Sequence, residues 1–286
     1  MLIITGAAGL LAKAILHAFP QATGSYHSGK PIVSNKLIRA DITTIEGLIK
    51  IMELKPSAII NCAAMTSVDD CEKQKEMARK VNSDAVSALS RECLKSGIKF
   101  VHISTDFVFD GSRGMYREDD KALPVNHYGL TKLMGEKFLG ENDLLVRTSF
   151  FGWKNSRKEN FGGWIVNSLR NGKEIKAFTN SYFTPIYVGY LARILVIMIE
   201  KNLSGTYHVA GKERISKYDF AIRAADFFGL DRSLIKEGDI KKWETEARRP
   251  VDTSLDCSRI QKTGISLPSL EESLRLMKEE EHLYKS

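Results

Sequence analysis

The chain has 286 residues, 43% of them hydrophobic, which is enough for one substantial core with a smaller lobe attached. Its formal charge of +7 arises from 42 basic and 35 acidic residues interspersed along the chain, a pattern typical of a solvated surface, so we expect no nucleic-acid partner. No apolar stretch reaches the ~20 residues of a membrane span and the 4 cysteines form no CxxC pair, so we expect a cytoplasmic protein without a membrane anchor, disulfides or a metal site.

The first half of the chain alternates between short apolar segments and amphipathic ones. The apolar segments predict strands at 2–5, 22–26, 37–40, 58–61, 100–104 and 144–148. The amphipathic segments predict helices at 10–18, 45–52, 78–96 and 128–139. Such an alternation indicates a parallel sheet with helices covering both faces.

Beyond residue 150 the alternation becomes irregular. The segment 152–163 is rich in glycine, asparagine and charge, which is typical of a loop at the rim of a site. The remaining predicted elements are an apolar core helix at 187–199, a strand at 205–210, a helix at 216–228 capped by Ser216, and a last amphipathic helix at 270–277.

These elements predict the fold class and its division. We expect an α/β protein with a Rossmann-like, doubly wound parallel sheet and a smaller carboxy-terminal α/β substrate lobe. The dinucleotide-binding unit is expected over 1–150, with later segments near 176–200 returning to it. The substrate lobe is expected mainly over 151–286.

Glycines follow the first predicted strand directly, in the sequence Thr5-Gly6-Ala7-Ala8-Gly9-Leu10-Leu11-Ala12. A tight turn here would bring backbone N–H groups and the positive end of a helix to a pyrophosphate. A purely structural turn can produce the same pattern, but its place after the first strand favours dinucleotide binding. The candidate cofactor residues of this loop are Gly6, Ala8, Gly9, Leu10 and Leu11.

The second predicted strand ends without the carboxylate that is typical of NAD-preferring proteins. The polar residues Ser25, His27, Ser28 and Lys30 follow instead, and they could donate hydrogen bonds or charge to a 2′-phosphate. NADP(H) is therefore favoured over NAD(H). The alternative is an ordinary polar loop.

Two further strand ends are candidates for the rest of the nucleotide. After the third strand, Asp41 could accept a hydrogen bond from an adenine amino group beside Ile42, or it could cap a helix. After the fourth strand, small side chains would let the dinucleotide lie close to the backbone, although a packed strand end looks the same. These residues are Cys62, Ala63 and Ala64.

A hydroxyl, a phenol and an amine form the candidate chemical centre. Thr105 ends the fifth strand, while Tyr128 and Lys132 stand i, i+4 at the start of a helix and share one helical face. A nearby ammonium favours the phenolate and so lowers the pKa of a tyrosine. We expect Tyr128 to protonate a carbonyl oxygen as hydride arrives from the nicotinamide, with Thr105 holding the same oxygen and Lys132 holding the nicotinamide ribose.

The motifs together resemble the extended short-chain dehydrogenase/reductases, and within them the dTDP-4-dehydrorhamnose reductases, over nearly the whole chain. The stretches that carry the resemblance are TGAAGLLA from Thr5, ADIT from Ala40, NCAAMTSVDDCE from Asn61, HISTDFVFDG from His102, PVNHYGLTKLMGE from Pro124, RTS from Arg147, TPI from Thr184 and ARRPVDTSLD from Ala247. The third glycine of the dinucleotide loop is Ala12. Phe150 stands where these reductases usually have tryptophan, which bears on the identity of the sugar.

The resemblance implies roles for individual residues. Thr105, Tyr128 and Lys132 inherit catalysis, and Asn82 inherits a position below the nicotinamide, where a capping role is the alternative. The substrate implied is a nucleotide-linked 4-keto-6-deoxy sugar, bound between the Rossmann unit and the smaller lobe. Residues implied to contact it are Thr105, Phe107, Tyr128, Arg248 and Arg249, although a surface arginine pair would look the same.

The resemblance leaves two other functions open. One is an epimerase or dehydratase of the same superfamily, which holds NAD tightly and returns the hydride to its substrate. The other is a non-catalytic subunit like the regulatory β subunit of methionine adenosyltransferase, since fold does not determine function. A homodimer is compatible with each of these functions.

Overall fold

A computed structural model describes residues 1–29, 33–153 and 160–284 of the chain. Lys30 and the middle of the expected loop at 152–163 lie outside the described residues. In the described part of the chain, no helix combines the length and apolar character needed to cross a membrane.

Thirteen strands are described, most of them short. They are β1 Leu2–Thr5, β2 Thr23–Tyr26, β3 Leu37–Arg39, β4 Ala58–Asn61, β5 Lys99–Thr105, β6 Leu144–Thr148, β7 Phe150–Phe151, β8 Ile175–Phe178, β9 Tyr182–Phe183, β10 Ile186–Tyr187, β11 Gly205–His208, β12 Ile215–Ser216 and β13 Ile235–Gly238.

The α-helices lie between these strands and along the carboxy-terminal segment. They are α1 Leu10–Ala18, α2 Ile45–Met52, α3 Val68–Lys73, α4 Lys75–Arg79, α5 Ala85–Ser96, α6 His127–Glu136, α7 Phe161–Arg170, α8 Val188–Glu200, α9 Lys217–Phe228, α10 Ser258–Gln261 and α11 Leu270–Glu279. A π-turn at Lys80–Asp84 joins α4 to α5.

Seven strands form one sheet in the order β11-β6-β5-β4-β1-β2-β3, and every neighbouring pair is parallel. The order reverses between β1 and β4, so a crevice opens at their carboxyl ends, where ligands bind in sheets of this type. All seven strands were predicted as elements, and the Rossmann-like sheet is confirmed.

Neighbouring residues on each central strand belong to two different hydrophobic clusters. On β1, Ile4 packs in one cluster with residues of α1 and α8, while Ile3 packs in the other with residues of α2 and α5. On β4, Ile60 and Ile59 divide in the same way. Since successive side chains of a strand point to opposite faces, the sheet is covered on both sides, as its nearly continuous apolar strands require.

The carboxy-terminal half contributes to the sheet as well as to the substrate side. Strand β11 pairs with β6, and α8 packs against α1. Three small two-stranded pairs accompany α7 and α9, namely β7 with β10, β8 with β13 and β9 with β12. The two halves share one hydrophobic cluster, and a division near residue 150 stays a prediction.

Two sequence expectations differ from the structure. The predicted helix at 78–96 is interrupted by the π-turn at Lys80–Asp84, and π-turns of this kind are frequent at functional sites. The predicted loop at 152–163 ends early, because Gly162 and Gly163 lie inside α7. A side chain on Gly162 would come within 2.8 Å of the Phe151 ring, so the glycine reflects close packing of α7 and not a loop.

Candidate active site

The loop after β1 lies against the loop after β4. Gly6 has φ of +68°, and a Cβ there would lie 2.7 Å from Ala63 Cα, so only glycine fits. The Gly9 N–H donates to the Gly6 carbonyl at 2.8 Å, and α1 begins at the next residue. No described side chain caps this helix, so the N–H groups of Leu10 and Leu11 remain available to an anion.

A buried hydroxyl marks the far end of the predicted cofactor site. Ser25 at the carboxyl end of β2 is 1% exposed, and among the described residues its Oγ has no hydrogen-bond partner. Buried hydroxyls are normally paired, so this geometry fits a ligand that approaches the end of β2. Exposed His27 follows, and Arg39 from β3 donates its Nε to the His27 carbonyl at 3.4 Å.

Asp41 closes a local turn before α2 and is not the helix cap that was one of its two expected roles. Its Oδ1 accepts the Thr43 N–H at 2.9 Å and the Thr43 hydroxyl at 2.8 Å, while Oδ2 lies 3.1 Å from His27 Nδ1. Partial burial raises the pKa of this carboxyl, but the Thr43 hydrogen bonds and His27 outweigh it and hold the pKa below its ordinary value. Thr44 caps α2 itself.

Asn82 is fully buried in the π-turn, and its amide links the segment after β4 to α6. Its Oδ1 accepts the Met65 N–H at 2.8 Å, and its Nδ2 donates to the Met65 carbonyl at 3.0 Å and to Thr131 Oγ1 at 3.1 Å. These contacts fasten the segment after β4 to α6. The expected role beneath the nicotinamide stays a prediction, since the amide is already engaged by protein atoms.

The catalytic candidates Thr105 and Tyr128 meet at the carboxyl end of β5. The Thr105 hydroxyl donates to Asp106 Oδ1 at 3.1 Å and lies near enough to the Tyr128 phenol to influence its pKa. Burial raises the pKa of Tyr128 above its ordinary value, the Thr105 hydroxyl lowers it, and the Asp106 carboxyl raises it further. This direction is opposite to the expected one, since Lys132 was expected to lower the pKa of Tyr128. The raised pKa keeps the phenol protonated in the free protein, as a proton donor requires.

The glycine of the Tyr-Gly-x-x-Lys motif allows α6 to lie directly on the turn after β5. A Cβ on Gly129 would lie 2.1 Å from the Phe107 carbonyl oxygen, so the backbone there tolerates no side chain. The Phe107 ring packs edge-on against Tyr128, with the ring centroids 6.0 Å apart. Phe107, predicted to contact substrate, thus also fixes the orientation of the phenol.

Lys132 is 2% exposed and lies deep beneath the cleft. Its Nζ donates to the Ile103 carbonyl at 2.7 Å and lies 3.2 Å from His102 Nε2. Burial lowers the pKa of Lys132 to about 8, against the opposing influence of Glu136 one turn later. A lysine of this kind changes charge near neutral pH.

A buried ion pair supports the helix behind Lys132. Glu136 binds the Arg147 guanidinium of β6 through two oxygens, with the shortest contact 2.7 Å, and accepts the Ser104 hydroxyl. Bidentate geometry with a third donor satisfies most of the carboxylate's hydrogen-bonding capacity. The pair therefore joins α6 to β5 and β6 immediately beside the catalytic candidates.

Two charged residues of the cleft were not predicted. Asp106 is buried beside Thr105, and burial raises its pKa, although the Thr253 hydroxyl and Lys217 oppose this. Lys217 begins α9, and its Nζ lies 3.1 Å from the centre of the Phe183 ring. Burial lowers the pKa of Lys217 to about 7, with Asp106 opposing. Asp106 directly follows Thr105 in the HISTDFVFDG stretch, so its position there was a signal in the sequence. Lys217 reaches the cleft only on folding, and no local sequence signal identified it.

The two arginines of the ARRP segment have different surroundings. Arg249 forms a 2.7 Å ion pair with Asp69 and donates to the Ala247 carbonyl at 2.8 Å. The Arg248 side chain is exposed, and its carbonyl accepts the Asn126 amide at 2.9 Å. Arg249 therefore holds the loop in place, which leaves Arg248 as the one predicted arginine of this pair whose guanidinium could meet a substrate diphosphate.

The chain is similar to known proteins over nearly its whole length. The family model described as the RmlD substrate binding domain matches residues 1–282. A probable low-salt glycan biosynthesis reductase, Agl14 of Haloferax volcanii, is 34% identical over 284 residues, 95% of each chain. The structure of a hypothetical dTDP-4-dehydrorhamnose reductase from Sulfolobus tokodaii is 38% identical with a TM-score of 0.82, covering 91% of this chain and 93% of that one.

Two further matches bear on cofactor and alternatives. The structure of dTDP-4-dehydrorhamnose reductase from Bacillus anthracis str. Ames in complex with NADP has a TM-score of 0.85 at 28% identity, covering 98% of each chain. Methionine adenosyltransferase 2 subunit beta of Bos taurus is 31% identical over 277 residues, 92% of this chain and 82% of that protein. The chain therefore belongs to the RmlD substrate binding domain family, and it is an NAD(P)-dependent oxidoreductase of the extended short-chain dehydrogenase/reductase type.

Proposed function

We propose that this protein reduces the C4 carbonyl of a nucleotide-linked 4-keto-6-deoxy sugar, with a dTDP-linked hexose as the favoured substrate and NADPH as the favoured reductant. The observation that carries the proposal is the placement of the Thr105 hydroxyl beside the Tyr128 phenol at the carboxyl edge of the sheet, one helical turn from buried Lys132. The names of the Bacillus anthracis and Haloferax volcanii relatives support a sugar reductase.

The chemistry assigned to the residues follows from their protonation states. When bound, the reduced dinucleotide supplies the hydride. When substrate binds, the single hydroxyl hydrogen of Thr105 turns from Asp106 Oδ1 to the substrate carbonyl oxygen and fixes its position. Tyr128 holds the proton that this oxygen needs, and the charge of Lys132 stabilises the phenolate as the proton leaves. Phe107 keeps the phenol directed at the oxygen and excludes water from its face.

The preference for NADPH rests on the end of β2. The buried Ser25 hydroxyl lacks a partner among the described residues, and the basic side chains nearby include His27 and Arg39. The one carboxylate beside them, Asp41, is engaged by Thr43 and His27. An uncompensated acid that would repel a 2′-phosphate is therefore lacking in the described part of this end of the site.

The test is NADPH oxidation against a panel of nucleotide-linked 4-keto sugars, with Tyr128→Phe and Tyr207→Phe as matched variants. Tyr128→Phe removes the proton donor and should lower kcat by about a hundredfold or more, with NADPH affinity unchanged. Tyr207 lies on β11 outside the site, so Tyr207→Phe should retain wild-type turnover. Equal turnover by the wild type and Tyr128→Phe would show that the phenol is not the acid.

A regulatory function is the second candidate, because a methionine adenosyltransferase β subunit is among the relatives. Such a subunit needs no proton donor, so Tyr128→Phe would bind a catalytic partner as well as the wild type does. Co-purification of the chain with a methionine adenosyltransferase, together with inactivity on every sugar of the panel, would favour that function. An epimerase or dehydratase would instead release NAD on denaturation.

We further propose that the enzyme works in the cytoplasm as a homodimer. Its four cysteines, all within the described residues, are free thiols, which suits a reducing compartment. Exposed apolar side chains of Leu94, Leu130 and Phe138 lie on or beside α5 and α6, where a second copy could cover them. Light scattering of the purified protein measures the mass of the assembly directly.

A further inference from the structure

A row of buried polar side chains runs under the active site from β1 to α6. The Thr5 hydroxyl lies 2.5 Å from Asn61 Oδ1, Asn61 Nδ2 lies 3.1 Å from His102 Nδ1, and His102 Nε2 lies 3.2 Å from Lys132 Nζ. The exposed fractions of these side chains are between 0% and 2%. Buried polar groups are arranged so that each donor meets an acceptor, so the direction of each hydrogen bond can be derived.

The hydrogen bonds of the Asn61 amide determine which groups donate and which accept along the row. Its Oδ1 accepts two hydrogens, one from the Thr5 hydroxyl and one from the Ala63 N–H at 3.3 Å. With the oxygen so engaged, the Nδ2 group faces the imidazole and donates to His102 Nδ1. A neutral imidazole carries its hydrogen on one nitrogen, so a ring that accepts at Nδ1 carries it at Nε2.

His102 is neutral at ordinary pH, because burial and then the charge of Lys132 lower its pKa well below the usual value. Its Nε2–H therefore faces Lys132 Nζ. An amine has a lone pair that can accept this hydrogen, whereas an ammonium has none. Lys132 keeps its own donor for the Ile103 carbonyl at 2.7 Å in both forms.

We propose that His102 is a positioning residue whose Nε2–H donates to Lys132 Nζ and so favours the uncharged amine in the free protein. Protonation of Lys132 must break or reverse this hydrogen bond. A hydrogen bond made to the neutral form of a group disfavours its charged form, so His102 lowers the pH at which the lysine loses its proton.

The other groups near Lys132 have effects that can be separated from that of His102. Glu136 on the same helix favours the ammonium, but Arg147 already neutralises this carboxylate. The Cys62 thiol at the end of β4 remains protonated, because burial raises its pKa to about 12. Tyr128, one helical turn earlier, is likewise protonated. His102 is therefore the neighbour that opposes the charge through a hydrogen bond.

The functional consequence rests on the proposed reductase activity, in which Lys132 is charged when it acts. Above about pH 8, where the amine predominates in the free protein, it would take a proton from solvent when anionic diphosphates enter the cleft. His102 would then determine how much of the enzyme is in the charged form at a given pH. The hydrogen-bond direction itself can be measured without any substrate.

The first test is nitrogen NMR of the histidine rings in the free protein at about pH 9, where the amine predominates. We expect the Nε2–H tautomer for His102, assigned by comparison with a His102→Gln sample. The Nδ1–H tautomer would overturn the proposal, because His102 would then accept from Lys132. This result would leave the proposed function untouched.

The second test is the pH dependence of kcat/KM for His102→Phe, which keeps a buried ring beside Phe100 but has no donor. We expect the alkaline pKa to rise by about one unit, because the amine loses its hydrogen bond. His102→Gln retains an amide N–H at that depth and should restore the wild-type pKa. An unchanged or lowered alkaline pKa in His102→Phe would contradict the proposal.

His208→Phe provides the control for the loss of a buried histidine. This ring is 0% exposed and binds the Tyr116 carbonyl through Nδ1 at 3.0 Å, away from Lys132. The substitution should affect stability while leaving the alkaline pKa at its wild-type value. A shift as large as that of His102→Phe would attribute the effect to general loosening of the fold and overturn the positioning role.

Discussion

At the scale of single residues, the proposed preference for NADPH depends on the hydroxyl of Ser25. It is buried at the end of β2 and within hydrogen-bonding distance of no described protein group. Ser25→Asp would place a carboxylate where a 2′-phosphate is expected, and like charges at contact distance repel strongly. We expect kcat/KM for NADPH to fall about tenfold or more, with a much smaller change for NADH.

Ser25→Ala is the control for that prediction, because it removes the hydroxyl without adding charge. It should weaken NADPH by a smaller factor than Ser25→Asp does and leave NADH nearly unchanged, because only NADPH would lose a hydrogen bond to its 2′-phosphate. If Ser25→Asp lowered kcat/KM for both cofactors by the same factor, the end of β2 would not distinguish the two dinucleotides, and the proposed preference would need another origin.

Lys132 leads to a prediction about pH. Its pKa in the free protein is lowered by burial to about 8, and kcat/KM reports groups of the free enzyme. Since the charged form is the active one, kcat/KM should be constant at neutral pH and fall as pH rises through about 8. Lys132→Arg, which keeps its charge, should be slower but should lack this decline. A decline that persists in Lys132→Arg would assign it to another group.

Some residues of the candidate site could be predicted from the sequence and others could not. Thr105, Tyr128 and Lys132 could be predicted because spacing along one helix and position at a strand end are local properties. His102 and Asn61 are 41 positions apart and meet only because β4 and β5 are neighbours. Lys217 reaches the cleft only because α9 returns to it, which no short segment encodes.

At the scale of secondary structure, the start of α6 joins the substrate side to the catalytic helix. Asn126 accepts the Gly129 N–H at 2.8 Å as the helix cap, and its amide donates to the Arg248 carbonyl at 2.9 Å. Asn126→Ala should lower the free energy of unfolding by about 1–2 kcal/mol and also reduce kcat, since Tyr128 lies in the first turn. Denaturant unfolding and steady-state kinetics measure the two effects.

Ser269→Ala is the matched control for the loss of a helix cap. Ser269 caps α11 by accepting the Glu272 N–H at 3.2 Å, and this helix lies outside the site. It should lose comparable stability and keep full activity. Equal kcat for Asn126→Ala and wild type would show that the cap does not influence the catalytic helix.

Most elements could be predicted because their hydrophobic periodicity is strong, and the helices at 10–18 and 45–52 agree with α1 and α2 at both ends. The π-turn at Lys80–Asp84 could not, because its extra residue follows from the bonds of Asn82 to other elements. The start of helix α7 was predicted as a loop, because Gly162 and Gly163 lower the local helix propensity. In the structure the same glycines permit close packing of the helix.

At the scale of the whole molecule, the sheet is completed by β11, which follows β6 by more than 50 residues in the chain. Val146 of β6 is paired with Tyr207 of β11, and the flanking Gly205 and Val209 N–H groups donate toward β6. Tyr207→Pro should break this pairing and lower the free energy of unfolding by about 2 kcal/mol or more. Tyr207→Val, which keeps the N–H, should cost less in a denaturant titration.

The fold class was predicted from the sequence, whereas the pairing of β11 with β6 that completes the sheet was not. Alternating elements indicate a parallel sheet, but their order in space depends on which edges pair, and β11 lies more than 50 residues beyond β6 in the chain. The sharing of one cluster by both halves also has no counterpart in the sequence pattern, because apolar periodicity shows that a face is buried without showing what covers it.

The late position of β11 has a consequence for synthesis on the ribosome. Until residue 208 has emerged, the growing chain presents the bare edge of β6, whose main-chain groups invite pairing with strands of other molecules. Nascent chains stalled before this point should recruit chaperones and aggregate when released, while those stalled well beyond it should resist protease. Translation speed between residues 148 and 205 would then influence the yield of the enzyme.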